Sequence, residues 1–199
     1  MNRHLRTRVF LTGVGGQGTL TATRILAQTA LDAGLAVTAG EIHGMAQRGG
    51  VVESFVLVGG HRSPRIAHGE ADVLLGFEPM ETLRALPYLL RGGLVLSNSE
   101  FIPTIGANQG LESAPSLDEI KANVAQCAGE AHYIPAASLG REAGALQSGT
   151  MVLLGSLCAA NRLPFGPDQL KKTIQANLPP KLVDINLRAV DLGAGALEA

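Results

Sequence analysis

The sequence predicts an α/β chain: an open, mostly parallel, doubly wound sheet with a helical C-terminal part, all in one domain spanning 1–199. Three observations predict it. The short apolar runs Val9–Leu11, Val73–Leu75 and Leu94–Leu96 have the length and continuity of strands buried on both faces. The first run leads through Gly13-Val14-Gly15-Gly16-Gln17-Gly18 directly into a helical pattern, the strand–glycine turn–helix order of such sheets. Beyond His132–Pro135 the remaining sequence reads as helix. Hydrophobic residues make up 46% of the 199 and charged residues 17%, which suits a well-buried sheet. It equally suits a surface partly covered by a partner.

Taken in order, Arg8 to Thr12 is the first strand. After the glycines, Ala22, Ile25, Leu26, Thr29 and Ala33 fall at helical spacing, with Thr21, Arg24, Gln28 and Asp32 on the wetter face and Gly34 as the stop. Leu35 to Ala39 makes a second strand, so the first forty residues form one βαβ-type unit. Val51 to Val58 is a third strand, and Gly59-Gly60 carries a hairpin signal for a short return segment at Ser63-Pro64-Arg65-Ile66. Val73–Leu75 follows. A helix from Pro79 towards Arg91 is bounded by Gly92-Gly93, with Glu81 and Arg84 one turn apart as a surface ion pair. Pro103 to Pro115 is a looser excursion, and Ser116 with Glu119 forms a capping box for a helix to about Ala128. Helices over Met151–Ala160, Asp168–Asn177 and Lys181–Leu192 complete the chain, the first apolar nearly all round and therefore buried.

Two stretches carry the chemistry. In the first, Gly13, Gly15, Gly16 and Gly18 permit positive φ and close approach, and the following helix offers free amides and a positive dipole end to an anion. The spacing also matches the dinucleotide pattern G-x-G-x-x-G, and a turn of this kind can equally be a tight crossover with no ligand. In the second, Glu41-Ile42-His43-Gly44-Met45-Ala46-Gln47-Arg48-Gly49-Gly50 has no helical or alternating period. It sets an acid, an imidazole, an amide and a guanidinium between glycines at the carboxyl end of a strand, where open α/β sheets bind ligands. The two stretches are expected to share one rim. Glu41 stands about 20 residues past the glycines, where a ribose-binding acid belongs, so a nicotinamide-dependent dehydrogenase is one reading. No substrate domain follows to serve it.

Other chemistries are excluded. No two of His4, His43, His61, His68 and His132 have helical metal-ligand spacing, no G-x-S-x-G elbow or lysine-bearing phosphate loop occurs, and no metal site is predicted. Cys127 and Cys158 are too few for zinc or an iron–sulfur cluster and fit free thiols in a reducing, cytoplasmic compartment. The net charge of −1, without a basic block, argues against nucleic acid. No apolar run approaches a membrane span, and the run after the basic N-terminus is too short for a signal peptide.

Together the two stretches resemble the small, gamma-type subunit of the 2-oxoacid:ferredoxin oxidoreductases, and most of all the beta subunit of the indolepyruvate enzymes. Ser63-Pro64, Gly69-Glu70-Ala71-Asp72, Phe77-Glu78-Pro79 with Glu81 and Arg84, and Asn186 with Gly193 extend the likeness over almost the whole chain. Thr150 departs from it, standing where asparagine is expected. The resemblance implies a single gamma-type domain that holds no cofactor alone. Thiamine diphosphate and iron–sulfur clusters belong to a large partner subunit in a hetero-oligomer. That complex converts a 2-oxoacid and coenzyme A to acyl-CoA and carbon dioxide, reducing ferredoxin. On this reading Gly13, Gly15, Gly16, Gln17, Gly18 and Glu41 contact a cofactor, co-substrate or partner. His43, Gln47 and Arg48 are the candidates for positioning substrate, Arg48 by accepting an anionic group. The alternative is that the rim is chiefly a docking surface.

Overall fold

A computed structural model describes residues 6–43, 50–61, 63, 65–101 and 115–198. Six strands form one sheet in the order β2-β3-β1-β4-β5-β6, namely β1 (Thr7–Val14), β2 (Val37–His43), β3 (Val51–Val58), β4 (Ala71–Gly76), β5 (Leu89–Asn98) and β6 (Glu130–Ile134). The β1/β4, β4/β5 and β5/β6 ladders are parallel, whereas β3 runs antiparallel to both β1 and β2. The sheet is therefore mixed. The expected β1–helix–β2 unit is present in split form, with β1 and β2 pointing the same way and β3 inserted between them.

Alternation along the strands gives each face its core. Val9, Leu11, Val73, Leu75, Leu94 and Leu96 point to one side, under α1 (Thr19–Asp32) and the C-terminal helices α4 (Ala136–Ala143), α5 (Gly149–Ala159), α6 (Pro167–Asn177) and α7 (Pro180–Glu198). Phe10, Leu57, Leu74 and Val95 point to the other, under α2 (Pro79–Ala85) and α3 (Leu117–Cys127). Helices thus cover both faces, the doubly wound arrangement. As its uniform hydrophobicity predicts, α5 is buried along nearly its whole length. It packs so closely on α7 that a Cβ at Gly155 would fall onto the Val190 carbonyl oxygen, and one at Gly193 onto that of Val152. The Ser156 hydroxyl seals this contact by donating to the Gly193 carbonyl at 2.7 Å.

Three local expectations are corrected. Gly59 and Gly60, at φ 92° and 72°, turn the chain off the sheet rather than into a hairpin, and the connection passes beneath β1 to reach β4. No return strand forms at Ser63–Ile66 among the described residues; Ile66 is buried against the second core instead. The helix from Pro79 stops at Ala85, and Leu86–Tyr88 make one 3₁₀ turn. Pro87 has no amide hydrogen to continue the helical ladder, so β5 starts at Leu89 and carries Gly92-Gly93 within it. The Glu81–Arg84 pair forms at 2.6 Å, but the Glu81 side chain is only 6% exposed against 63% for Arg84. It is a half-buried pair.

The Ser116–Glu119 capping box forms as expected. α4 has no cap of its own behind Pro135, and Glu100 supplies one from just past the end of β5. Its carboxylate accepts the Ala137 amide at 2.6 Å, the Ser138 amide at 3.0 Å and the Ser138 hydroxyl at 2.6 Å. Burial opposes the charge, but the hydrogen bonds from Ser138 and Ala137, with Arg141 nearby, outweigh it and hold the carboxyl below its usual 4.5. A lowered carboxyl contributes stability above its unfolded pKa and loses it as pH falls through the folded one. Glu100→Gln is therefore expected to cost about 1 kcal/mol near neutral pH and much less in acid. Urea melts of the two proteins across the acid range read this directly; a constant difference between them would rule out the charge-dependent cap.

Candidate functional site

Because β1, β2, β4, β5 and β6 run the same way, their carboxyl ends share one edge of the sheet, and β3 begins there. The glycine turn lies in the middle of that edge. Gly13 and Val14 still belong to β1, Gly16 and Gly18 have φ 98° and 85°, and Gly18 is the N-cap of α1. The Gly15 amide donates to the Gly50 carbonyl at 2.9 Å. The residue that ends the second polar stretch is thereby joined to the first at this rim.

The turn is braced from within. Gln17 folds back so that its side-chain oxygen accepts the Val14 amide at 2.7 Å, and its own amide donates to the Val14 carbonyl at 3.1 Å. A Cβ on Gly13 would lie 2.7 Å from that side-chain oxygen and 2.8 Å from Phe77 Cβ, so glycine is required there for close packing. The Phe77 amide in turn donates to the Thr12 carbonyl at 2.8 Å. From the other side Thr150, at the start of α5, donates its hydroxyl to the Gln17 carbonyl at 3.2 Å. The departure noted at this position is thus a second brace of the turn. The amides of Gly16 and Gly18 take no part in this bracing and have no backbone partner among the described residues, and those of the first turn of α1 lie at its positive end. Gln17 Nε2 and the hydroxyls of Thr12 and Thr19 are buried near the turn without a hydrogen-bond partner among the described residues. Gln17 is therefore part of the scaffold of the turn through one end of its amide, with the other end still able to donate.

Glu41 lies on β2 opposite Ser54 and, with Thr23, Arg24, Ala39 and Gly40, lines a shallow cavity of about 420 Å³. With β3 inserted, β2 sits two strand spacings from β1, about 9.5 Å instead of the ~4.8 Å of adjacent strands. That geometry removes the argument for Glu41 as the ribose-binding acid of a dinucleotide fold, which needs the two strands side by side. His43 ends β2 at the rim; its side chain lies outside what is described, as do Gln47 and Arg48 in the segment 44–49. The excursion at 102–114 also lies outside it.

A buried acidic group behind the rim was missed by the sequence reading. Glu78 caps α2 by accepting the Glu81 amide at 3.0 Å, and burial pushes its carboxyl up. Glu53, beside Thr12 on β3, is likewise pushed up, first by burial and then by the Glu81 charge. Only one Glu81 oxygen meets Arg84; the other is buried with no partner among the described residues. The signal was present in Glu78 immediately before a helix-initiating Pro79, a capping position held against the sheet.

Cys127 ends α3 and Cys158 lies in α5, on opposite faces of the sheet, and burial pushes the Cys158 thiol up to about 12. Among the described residues no group of three or more His, Cys, Asp or Glu could hold a metal ion, and no helix is long and apolar enough to cross a membrane.

Comparison with known proteins places this architecture. Residues 8–196 match the family described as pyruvate ferredoxin/flavodoxin oxidoreductase. Indolepyruvate oxidoreductase subunit IorB of Thermococcus kodakarensis is 42% identical over 190 residues, covering 94% of each chain. A keto/oxoacid ferredoxin oxidoreductase gamma subunit from Geobacter sulfurreducens superposes with a TM-score of 0.69 at 20% identity, over 96% of this chain and 98% of its own. The 2-oxoglutarate:ferredoxin oxidoreductase of Magnetococcus marinus, solved with 2-oxoglutarate, coenzyme A and succinyl-CoA bound, gives a TM-score of 0.69 at 19% identity; the match covers 97% of this chain and 31% of that one. With a family match over nearly its full length and a relative of its own size at this identity, the chain belongs to the pyruvate ferredoxin/flavodoxin oxidoreductase family, as a small subunit of the 2-oxoacid:ferredoxin type.

Proposed function

We propose that this chain lays its glycine rim on a large, cytoplasmic partner subunit and completes the active site for oxidative decarboxylation of an aryl pyruvate such as indolepyruvate. The carboxylate of the 2-oxoacid leaves as carbon dioxide, its acyl carbon is captured by the thiol of coenzyme A, and a pair of electrons passes to ferredoxin. Thiamine diphosphate on the partner would supply the carbanion-stabilising chemistry, and its iron–sulfur clusters the electron route. This chain contributes binding and orientation. The amides of Gly16 and Gly18 and the positive end of α1 attract an anionic group, a substrate carboxylate or a coenzyme A phosphate. Arg48 adds a forked cation, and His43 and Gln47 orient the substrate.

The observation that carries this reading is the composition of the rim itself. Near this edge Leu20 opens α1, Ile42 lies one residue before the end of β2 and Phe101 follows β5, each 40% or more exposed. A helix start on an edge that also exposes large apolar side chains suits a second polypeptide closing over a charged ligand.

Coexpression with the large subunit and assay against several 2-oxoacids tests it, with highest turnover expected for aryl pyruvates. In that complex Arg48→Ala is expected to lower kcat/KM for the oxoacid or coenzyme A by roughly thirtyfold, the equivalent of one charge-assisted hydrogen bond of about 2 kcal/mol. Unchanged kinetics with intact assembly would remove Arg48 from the site. Weakened assembly with normal residual turnover would make the rim a docking surface instead.

A further inference from the structure

At the opposite end of β1 from the glycine turn lies an open cavity of about 760 Å³ lined by Arg6, Arg8, His61, Ser63, Arg65 and Glu70. The topology assembles it. β1 enters the sheet here at Thr7, β3 leaves at Val58, β4 begins at Ala71, and the connection from β3 to β4 runs beneath β1.

The arginines are held in place without being neutralised. Arg6 donates from Nε to the Gly59 carbonyl at 3.0 Å and from Nη2 to the Gly60 carbonyl at 2.6 Å. Arg8 donates from Nη1 to the Glu70 carbonyl at 3.1 Å. The Arg65 side chain makes no hydrogen bond or ion pair with any described residue, and no described carboxylate pairs with any of the three guanidinium groups. The nearby acids are turned to backbone. Glu70 accepts the Ala67 amide at 3.1 Å, and Asp72 accepts the Arg8 amide at 2.8 Å. Carbonyl partners orient a guanidinium but leave its charge and several of its five N–H groups unspent.

His61 adds an independent sign. Its Nε2 is buried with no hydrogen-bond partner among the described residues, and a buried polar atom left this way calls for a partner such as a water or a ligand. Burial first, then Arg8 and Arg6, push its pKa down, while Asp72 and a bond to the Val58 backbone act the other way. An anion among these arginines would offset their effect on the ring.

We propose that this cavity binds a small molecule carrying phosphate-type oxyanions, through the forks of Arg6, Arg8 and Arg65 and the ring of His61. The volume lies within the range of small-molecule sites and exceeds what a lone phosphate would fill. Arg6 and Arg8 line the cavity from the start of β1 and Arg65 lines it from the connection to β4, so a ligand there meets forks from two separate segments.

The test is calorimetric titration of inorganic pyrophosphate into the full chain, beside Arg65→Ala and Arg48→Ala. Because Arg65 makes no side-chain bond, its removal should leave the fold intact, which a thermal melt checks. Binding at this cavity is expected, weakened at least about tenfold by Arg65→Ala, while any part of the heat that Arg48→Ala removes belongs to the glycine rim. Three results would overturn the proposal. They are no binding into the millimolar range, binding indifferent to Arg65→Ala, or binding lost with Arg48→Ala alone, which would place the probe on the glycine rim. If the chain binds no pyrophosphate but Arg65→Ala prevents assembly with the large subunit, the arginines serve an acidic protein surface and the proposal also fails. None of these readouts depends on turnover, so they stand apart from the reading of the opposite rim.

Discussion

Gly193→Ala is expected to destabilise the chain by about 3 kcal/mol, at the upper end for overpacking, and to lower Tm by roughly 6–12 °C. The added methyl would fall onto the Val152 carbonyl oxygen, 2.7 Å from its carbon and 2.9 Å from Val152 Cα. These are backbone atoms of a helix buried on all sides, so no side chain can swing away to make room. Separating α7 from α5 would also stretch the hydrogen bond from Ser156 to the Gly193 carbonyl. Thermal and urea melts check it. A loss of under about 1 kcal/mol would mean that the two helices are not locked at this distance. Gly155→Ala, against the Val190 carbonyl, should act in the same direction, and the double variant should cost less than the sum because both changes open one interface.

The second large effect is expected at Gly18→Ala, in turnover of the assembled complex as well as in stability. Alanine at φ 85° carries about 1–2 kcal/mol of left-handed strain, and its Cβ would meet the Thr150 hydroxyl oxygen. Relieving that contact means giving up the bond from Thr150 to the Gln17 carbonyl, which shifts the turn that presents the free amides. A displacement of about 1 Å in such a frame can lower turnover as much as a hundredfold. Thr150→Ala separates the two causes. In the double variant the steric part should be recovered and the φ strain should remain, so stability returns only partway. Full recovery would show that Gly18 is required for space and not for its backbone conformation.

Local physics made much of the fold legible before any coordinates. Val9–Leu11, Val73–Leu75 and Leu94–Leu96 read as strands because burial on both faces leaves no polar alternation, and α5 read as buried because it has no polar stripe. The Ser116–Glu119 box and the turn at Gly13–Gly18 were visible because a cap and a positive-φ turn each need particular residues at fixed offsets. Strand order was not legible. Nothing local in Val51–Val58 distinguishes a strand beside β2 alone from one wedged between β2 and β1, since that choice is made by pairing across many residues. The burial of Glu81 escaped for a similar reason: helical spacing reveals that Arg84 is in reach, but not that the sheet covers one side of the pair. The Arg6–Arg8–Arg65 cavity is assembled from segments more than fifty residues apart, and no window along the chain contains it.

The wedged β3 has a consequence for how such subunits diversify. The polar stretch ending at Gly50 joins two neighbouring strands whose seven-residue register, from Val37 opposite Val58 to His43 opposite Val52, is fixed independently of it. A crossover connection would couple its length to the placement of a helix, whereas a connection between paired neighbours is anchored at both feet by the ladder itself, here with a further tie from the Gly15 amide to the Gly50 carbonyl. Substitutions within such a connection therefore need not disturb the sheet beneath it.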